Sequence, residues 1–82
     1  MSRVVWTAAA SSAMARYAKE DPAGVNQILD STNLLPGDPR PAGARRYAPD
    51  EYRIHVGRYR IWYAIRQNKP VIIEVTRVGR VA

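Results

Sequence analysis

The sequence predicts an α+β fold in which a small antiparallel β-sheet packs against an N-terminal α-helical hairpin, in the order β-α-α-β-β-β. Three observations carry this. An alanine-rich stretch near the N-terminus places its apolar residues at helical spacing, a second helical stretch follows it after Pro22, and the C-terminal third alternates apolar and polar residues. At 82 residues the chain is one domain, residues 1–82. A chain of that size buries only about 60% of its unfolded surface, enough for one sheet beneath one helical layer.

Arg3 to Trp6 (RVVW) reads as a short strand. Thr7 then caps a helix from about Ala8 to Lys19, with Ala10, Ala13, Met14, Tyr17 and Ala18 at helical spacing. Asp21 caps a second helix that has Pro22 at its first position, where a missing N–H costs nothing, and Val25, Ile28 and Leu29 mark its inner side. Leu35 to Asp50 (LPGDPRPAGARRYAPD) holds four of the six prolines and is expected as a loop that crosses from the helices to the sheet.

Gly57-Arg58 fits a two-residue hairpin turn, which sets Val56 opposite Tyr59, His55 opposite Arg60, Ile54 opposite Ile61 and Arg53 opposite Trp62. One face of the hairpin then carries Tyr52, Ile54, Val56, Tyr59, Ile61, Tyr63 and Ile65 and belongs to the core. The other carries Arg53, His55, Arg60, Trp62, Ala64 and Arg66. Val71 to Gly79 supplies a third strand; a loop at Gln67 to Lys69 would pair Trp62 with Glu74 and Arg60 with Thr76, keeping Glu74 out of the core. Arg77 and Arg80 are an odd number of residues apart, so they share a face only if strand parity breaks near Val78-Gly79.

Charge is unevenly divided. The net charge is +6, yet residues 1–39 carry Arg3, Arg16 and Lys19 against Glu20, Asp21, Asp30 and Asp38. The excess therefore sits in residues 40–82, where nine arginines and Lys69 face only Asp50, Glu51 and Glu74. Arginine binds phosphate through paired planar donors and stacks on bases, so this bias suits RNA or DNA; arginine enrichment can equally reflect a GC-rich genome. There is no cysteine and one histidine, which excludes disulfides, thiolate metal sites and a histidine-built zinc site. No apolar run has the length of a membrane span and no signal-peptide pattern is present, so a cytosolic, reduced, cofactor-free and metal-free setting is expected.

The order strand, helical hairpin, proline-rich connection ending in Arg45-Arg46, then YRIHVGRYRIWYAI, a turn, and VIIEVTRVGR resembles the RelE/ParE superfamily of bacterial toxin-antitoxin toxins. The resemblance covers nearly the whole chain. It implies a compact antiparallel sheet beside a helical hairpin, and one of two activities: a ribosome-dependent endoribonuclease that cuts mRNA, as in the RelE branch, or inhibition of DNA gyrase, as in the ParE branch. A toxin-fold protein that only binds, as a co-repressor with its antitoxin, is a third reading. Either branch implies a cognate antitoxin and a hetero-oligomer with it, and the RelE branch adds mRNA and the ribosome as partners.

The RelE chemistry uses the substrate's own 2′-OH to attack the adjacent phosphorus, leaving a 2′,3′-cyclic phosphate and a 5′-OH, and needs no metal. Carried over by motif, Arg53 and His55 fall at positions commonly held by catalytic lysines, Arg60 falls on a transition-state arginine, and Arg80 would contact the phosphate or assist the leaving group. Histidine exchanges a proton nearest neutral pH, which suits His55 to general base or acid. Arg45, Arg46, Trp62 and Arg77 are candidates for RNA binding, with Trp62 able to stack a base or to pack against the antitoxin. In the sequence given, nothing after Arg80 supplies the catalytic tyrosine that some relatives carry in a C-terminal extension. Glu74 is then the substitute for protonating the leaving oxygen.

Overall fold

Thr7 shows how the first strand hands over to the first helix. Its Oγ1 accepts from the Ala10 N–H at 3.1 Å, the N-cap bond expected of it, and donates to the Thr76 carbonyl at 3.1 Å. Its own N–H donates to the Val75 carbonyl at 3.0 Å. Helix α1 (Ala8–Glu20) therefore starts pinned to the last strand. Thr7→Ala removes a cap and a tertiary hydrogen bond together and is expected to cost about 2 kcal/mol in urea unfolding. The computed structural model describes residues 2–81.

Asp21 ends α1 and begins α2 (Pro22–Asn33). Its N–H donates to the Tyr17 carbonyl at 2.7 Å, while its carboxylate accepts from the Gly24 N–H at 3.1 Å and from the Tyr59 hydroxyl at 2.8 Å. The Tyr59 bond first, then the Gly24 bond, hold the Asp21 carboxyl below its ordinary value of 3.8. A depressed carboxyl stabilises the fold above the unfolded pKa and loses that contribution as pH falls through the folded one. Wild type is thus expected to lose stability below about pH 4 more steeply than Asp21→Asn, as read from denaturation midpoints across pH. Val25, Ile28 and Thr32 form the buried stripe of α2, and the Thr32 hydroxyl is satisfied by the Ile28 carbonyl at 2.9 Å. Leu29, expected inside, is 38% exposed because the stripe runs 25, 28, 32 and leaves position 29 on the flank.

Among the described residues five strands make one sheet: β1 (Arg3–Trp6), β2 (Arg45–Ala48), β3 (Glu51–Val56), β4 (Tyr59–Asn68) and β5 (Val71–Arg80), in spatial order β1-β5-β4-β3-β2. β1 runs parallel to β5 and every other pair is antiparallel. β2 corrects the expectation of a continuous loop from Leu35 to Asp50. Arg45 and Arg46 pair with Arg53 and Tyr52, satisfying the outer edge of β3, and a short charged strand is a usual way to end a sheet.

The β3–β4 register is the one the Gly57-Arg58 turn implies, with Gly57 at φ +60°. The β4–β5 register is not the expected one. A two-residue loop, Lys69-Pro70 with a cis peptide bond, joins the strands, and two bulges follow, at Arg66 on β4 and at Thr76 on β5. Trp62 consequently faces Arg77 rather than Glu74, and Arg60 faces Gly79 rather than Thr76. The Arg66 bulge offsets the parity change of the shorter loop, so Glu74 still points away from the core, opposite Ala64.

The helices cover one face only. Ala10, Ala13 and Met14 of α1 and Val25 and Ile28 of α2 pack on Tyr52, Ile54, Tyr59, Ile61, Tyr63, Ile65, Ile73, Val75 and Val78. The three tyrosines expected in the core are there, and each hydroxyl finds a partner at the rim. Tyr63 donates to the Pro39 carbonyl at 2.7 Å, its pKa pushed up to about 12 chiefly by burial, and Tyr52 accepts from Arg40 Nε at 2.9 Å. These bonds tie the proline-rich segment to the sheet. No helix among the described residues is long and apolar enough to cross a membrane.

Candidate nucleic-acid interface

Cross-strand partners share a face, and the registers align Arg45, Arg53, Trp62 and Arg77 in one row across β2, β3, β4 and β5. The next row is His55, Arg60 and Gly79. Both rows lie on the face that the helices leave open, because their strand neighbours Tyr52, Ile54, Ile61 and Val78 belong to the core. Partners in a row have Cβ atoms about 5 Å apart, close to the spacing at which several side chains can meet one phosphate group.

Ion pairs divide the arginines into two groups. Arg40 pairs with Asp50 at 3.5 Å, Arg58 with Asp21 at 3.4 Å, Arg66 with Glu74 at 2.8 Å and Arg80 with Glu20 at 2.8 Å. Among the described residues, Arg45, Arg53, Arg60 and Arg77 have no carboxylate within 4.0 Å. Arg3, Arg16 and Arg46 have none there either, but it is the first four that share the open face. Arg60 is the most costly, since its Nε is sealed from solvent with no hydrogen-bond acceptor among the described residues. A buried donor without a partner costs about 1–3 kcal/mol, so its retention calls for a reason outside stability.

His55 is exposed and borders a depression lined by Ala42, Gly43, Arg45, Arg53 and Ile54. Arg45 and Arg53 also line a second depression, with Arg46, Tyr47 and Trp62, so the two adjoin. The Arg77 guanidinium stacks on the Trp62 ring 4.6 Å from its centroid. The ring lies against Gly79, where a Cβ would be in ordinary van der Waals contact with Trp62 Cζ3 at 3.4 Å.

Two expected placements change, and one expected role. Arg80 follows the parity of Val78 onto the helix side, where Glu20 bonds it and its guanidinium lies 5.1 Å from the Tyr17 ring centroid. The parity break falls at Thr76, before Arg77, so Arg77 and Arg80 remain on opposite faces. Arg46 leaves β2 on the side opposite Arg45; its Nε donates to the Ala48 carbonyl at 3.4 Å, and it only borders the second depression. Glu74 accepts from Arg66 Nε at 2.9 Å, so its carboxylate is engaged by Arg66 instead of standing free beside the arginine rows.

Tyr47 is the residue sequence reasoning passed over. It is 53% exposed, and its hydroxyl lies near Glu51, Thr76 and Arg66, so the side chain reaches across the open face from β2 toward β5. Burial first, then the Glu51 carboxylate, raise its pKa above the ordinary tyrosine value. Its signal in the sequence is an aromatic directly after Arg45-Arg46, the combination of stacking and charge found in single-strand binders.

Residues 4–82 match the family model described as ParE toxin of type II toxin-antitoxin system, parDE. Among solved structures, the YoeB/ParE toxin from Agrobacterium tumefaciens shares the fold, with a TM-score of 0.81 and 15% sequence identity over 98% of this chain and 99% of that one. No curated protein matches the sequence. The family match runs from β1 through β5, spanning the helical hairpin and the arginine rows alike, and on that extent the chain belongs to the ParE toxin family of type II toxin-antitoxin systems, within the RelE/ParE superfamily.

Proposed function

We propose that the open face cleaves RNA: the toxin is an mRNA endoribonuclease that acts in the cytoplasm, on the ribosome, through the substrate's own 2′-OH. The observation that carries this is the His55–Arg60 cross-strand pair within a set of arginines that no carboxylate neutralises among the described residues. His55 takes the proton from the 2′-OH, the 2′-oxygen attacks the adjacent phosphorus, and the bond from phosphorus to the 5′-oxygen breaks as the departing oxygen takes a proton from solvent water. Arg60 and Arg53 hold the phosphate and offset the charge that builds on its oxygens, and Arg45 and Arg77 grip the neighbouring backbone. The products are a 2′,3′-cyclic phosphate and a 5′-hydroxyl.

Family membership brings an antitoxin as partner. An uncovered cationic face binds RNA indiscriminately, so an antitoxin segment that lays acidic and apolar residues over these rows is the means of silencing it. One observation favours a second reading. Arg80 is held by Glu20 and Tyr17 on the helix side, which removes one of the four catalytic candidates from the row. Inhibition of DNA gyrase works by binding and requires no proton acceptor.

Primer extension on a defined mRNA, with and without ribosomes, separates the two. New 5′ ends that require the ribosome support the nuclease. Intact mRNA together with lost gyrase supercoiling activity supports the second reading.

A further inference from the structure

The arginine rows account for phosphate, and Trp62 has one ring face occupied by Arg77, which leaves open what receives the base. The depression lined by Arg45, Arg46, Tyr47, Arg53 and Trp62 contains a second aromatic, and Tyr47 is half exposed there where the other core-strand tyrosines are buried. We propose that Tyr47 is the stacking platform for one unpaired nucleobase of a single-stranded RNA, with Arg45 and Arg53 on the phosphates beside it and the Trp62–Arg77 stack as the wall. This rests on the RNA-cleaving reading and names the subsite next to its reacting phosphate.

Several features support it. Tyr47 shares its depression with Arg53, which also lines the His55 depression, so a base on Tyr47 and a phosphate near His55 fall in adjoining depressions. Charge favours a polyanion as occupant, since Arg45 and Arg53 have no carboxylate partner among the described residues. Stacking on an aromatic is tolerant of base identity, so this subsite supplies affinity and register rather than sequence choice.

The test measures binding of the full chain to a short single-stranded 2′-O-methyl RNA, which cannot be cleaved, and to an oligomer of the same length and backbone that lacks bases. Wild type is expected to prefer the base-bearing oligomer by about tenfold. Tyr47→Ala loses the preference, Tyr47→Phe keeps it, and Arg45→Ala weakens both oligomers alike while lowering the salt slope by about one. Circular dichroism confirms that each variant is folded. A preference retained in Tyr47→Ala overturns the inference, as does a Tyr47→Ala that binds antitoxin less well and RNA as before. Wild type that binds both oligomers equally removes the Tyr47 role alone; wild type that binds neither removes the RNA-cleaving reading with it.

Discussion

Arg60→Ala and His55→Ala, made separately, are each expected to abolish growth inhibition and to lower the cleavage rate by at least about a hundredfold, while the thermal midpoint moves by only a few degrees. The separation of activity from stability follows from where the two residues sit. His55 is exposed on the open face and contributes little to packing. Arg60 carries a buried Nε that no acceptor among the described residues satisfies, so its removal relieves a cost instead of breaking a hydrogen bond. Arg60→Ala is therefore expected to leave the protein as stable as wild type or slightly more so. Growth curves on induction, cleavage rates and thermal melts of the purified variants check the result. A midpoint lowered by more than about 10 °C in both would assign these residues to the scaffold.

Gly24→Ala is expected to have the opposite signature, with stability lost by about 3 kcal/mol and the thermal midpoint lowered by about 15 °C, while cleavage at a permissive temperature is retained. Gly24 sits in the first turn of α2 beneath the Asp21 carboxylate and the Tyr59 ring, and a Cβ there would meet Tyr59 Cε2 at 2.7 Å. Asp21 cannot move aside freely, because it accepts from both the Gly24 N–H and the Tyr59 hydroxyl. A single methyl group therefore disturbs the cap of α2, the end of α1 and a core tyrosine at once. The open face lies on the other side of the sheet, so its chemistry is spared. An unchanged midpoint would mean that the Asp21 node relocates at no cost.

Legibility in the sequence followed the local strength of each signal. The helical hairpin was readable because Thr7, Asp21 and Pro22 are caps whose chemistry acts within three residues. The β3–β4 hairpin was readable because Gly57 fixes both turn and register, and with them the pairing of His55 with Arg60 and Arg53 with Trp62. β2 was hidden, since RRYA has no apolar alternation and gains its strand identity from the bare edge of β3. The β4–β5 pairing was out of reach for a different reason. Bulges at Arg66 and Thr76 are tertiary compromises that leave no periodic mark, and they decide that Arg77 joins Trp62 while Arg80 turns to Glu20. Tyr47 escaped notice because its partners across the sheet lie on β4 and β5, far along the chain.

The most direct test of the central claim is the chemistry of the cut end. An mRNA carrying a single 2′-deoxy nucleotide at the mapped cleavage position is compared with its all-ribose counterpart on translating ribosomes, and the 3′ ends of the fragments are identified by mass. If His55 and the unpaired arginines cleave through the substrate's own hydroxyl, the all-ribose mRNA ends in a 2′,3′-cyclic phosphate and the deoxy mRNA stays whole. Cleavage of the deoxy mRNA, or no cleavage of either, would contradict the account.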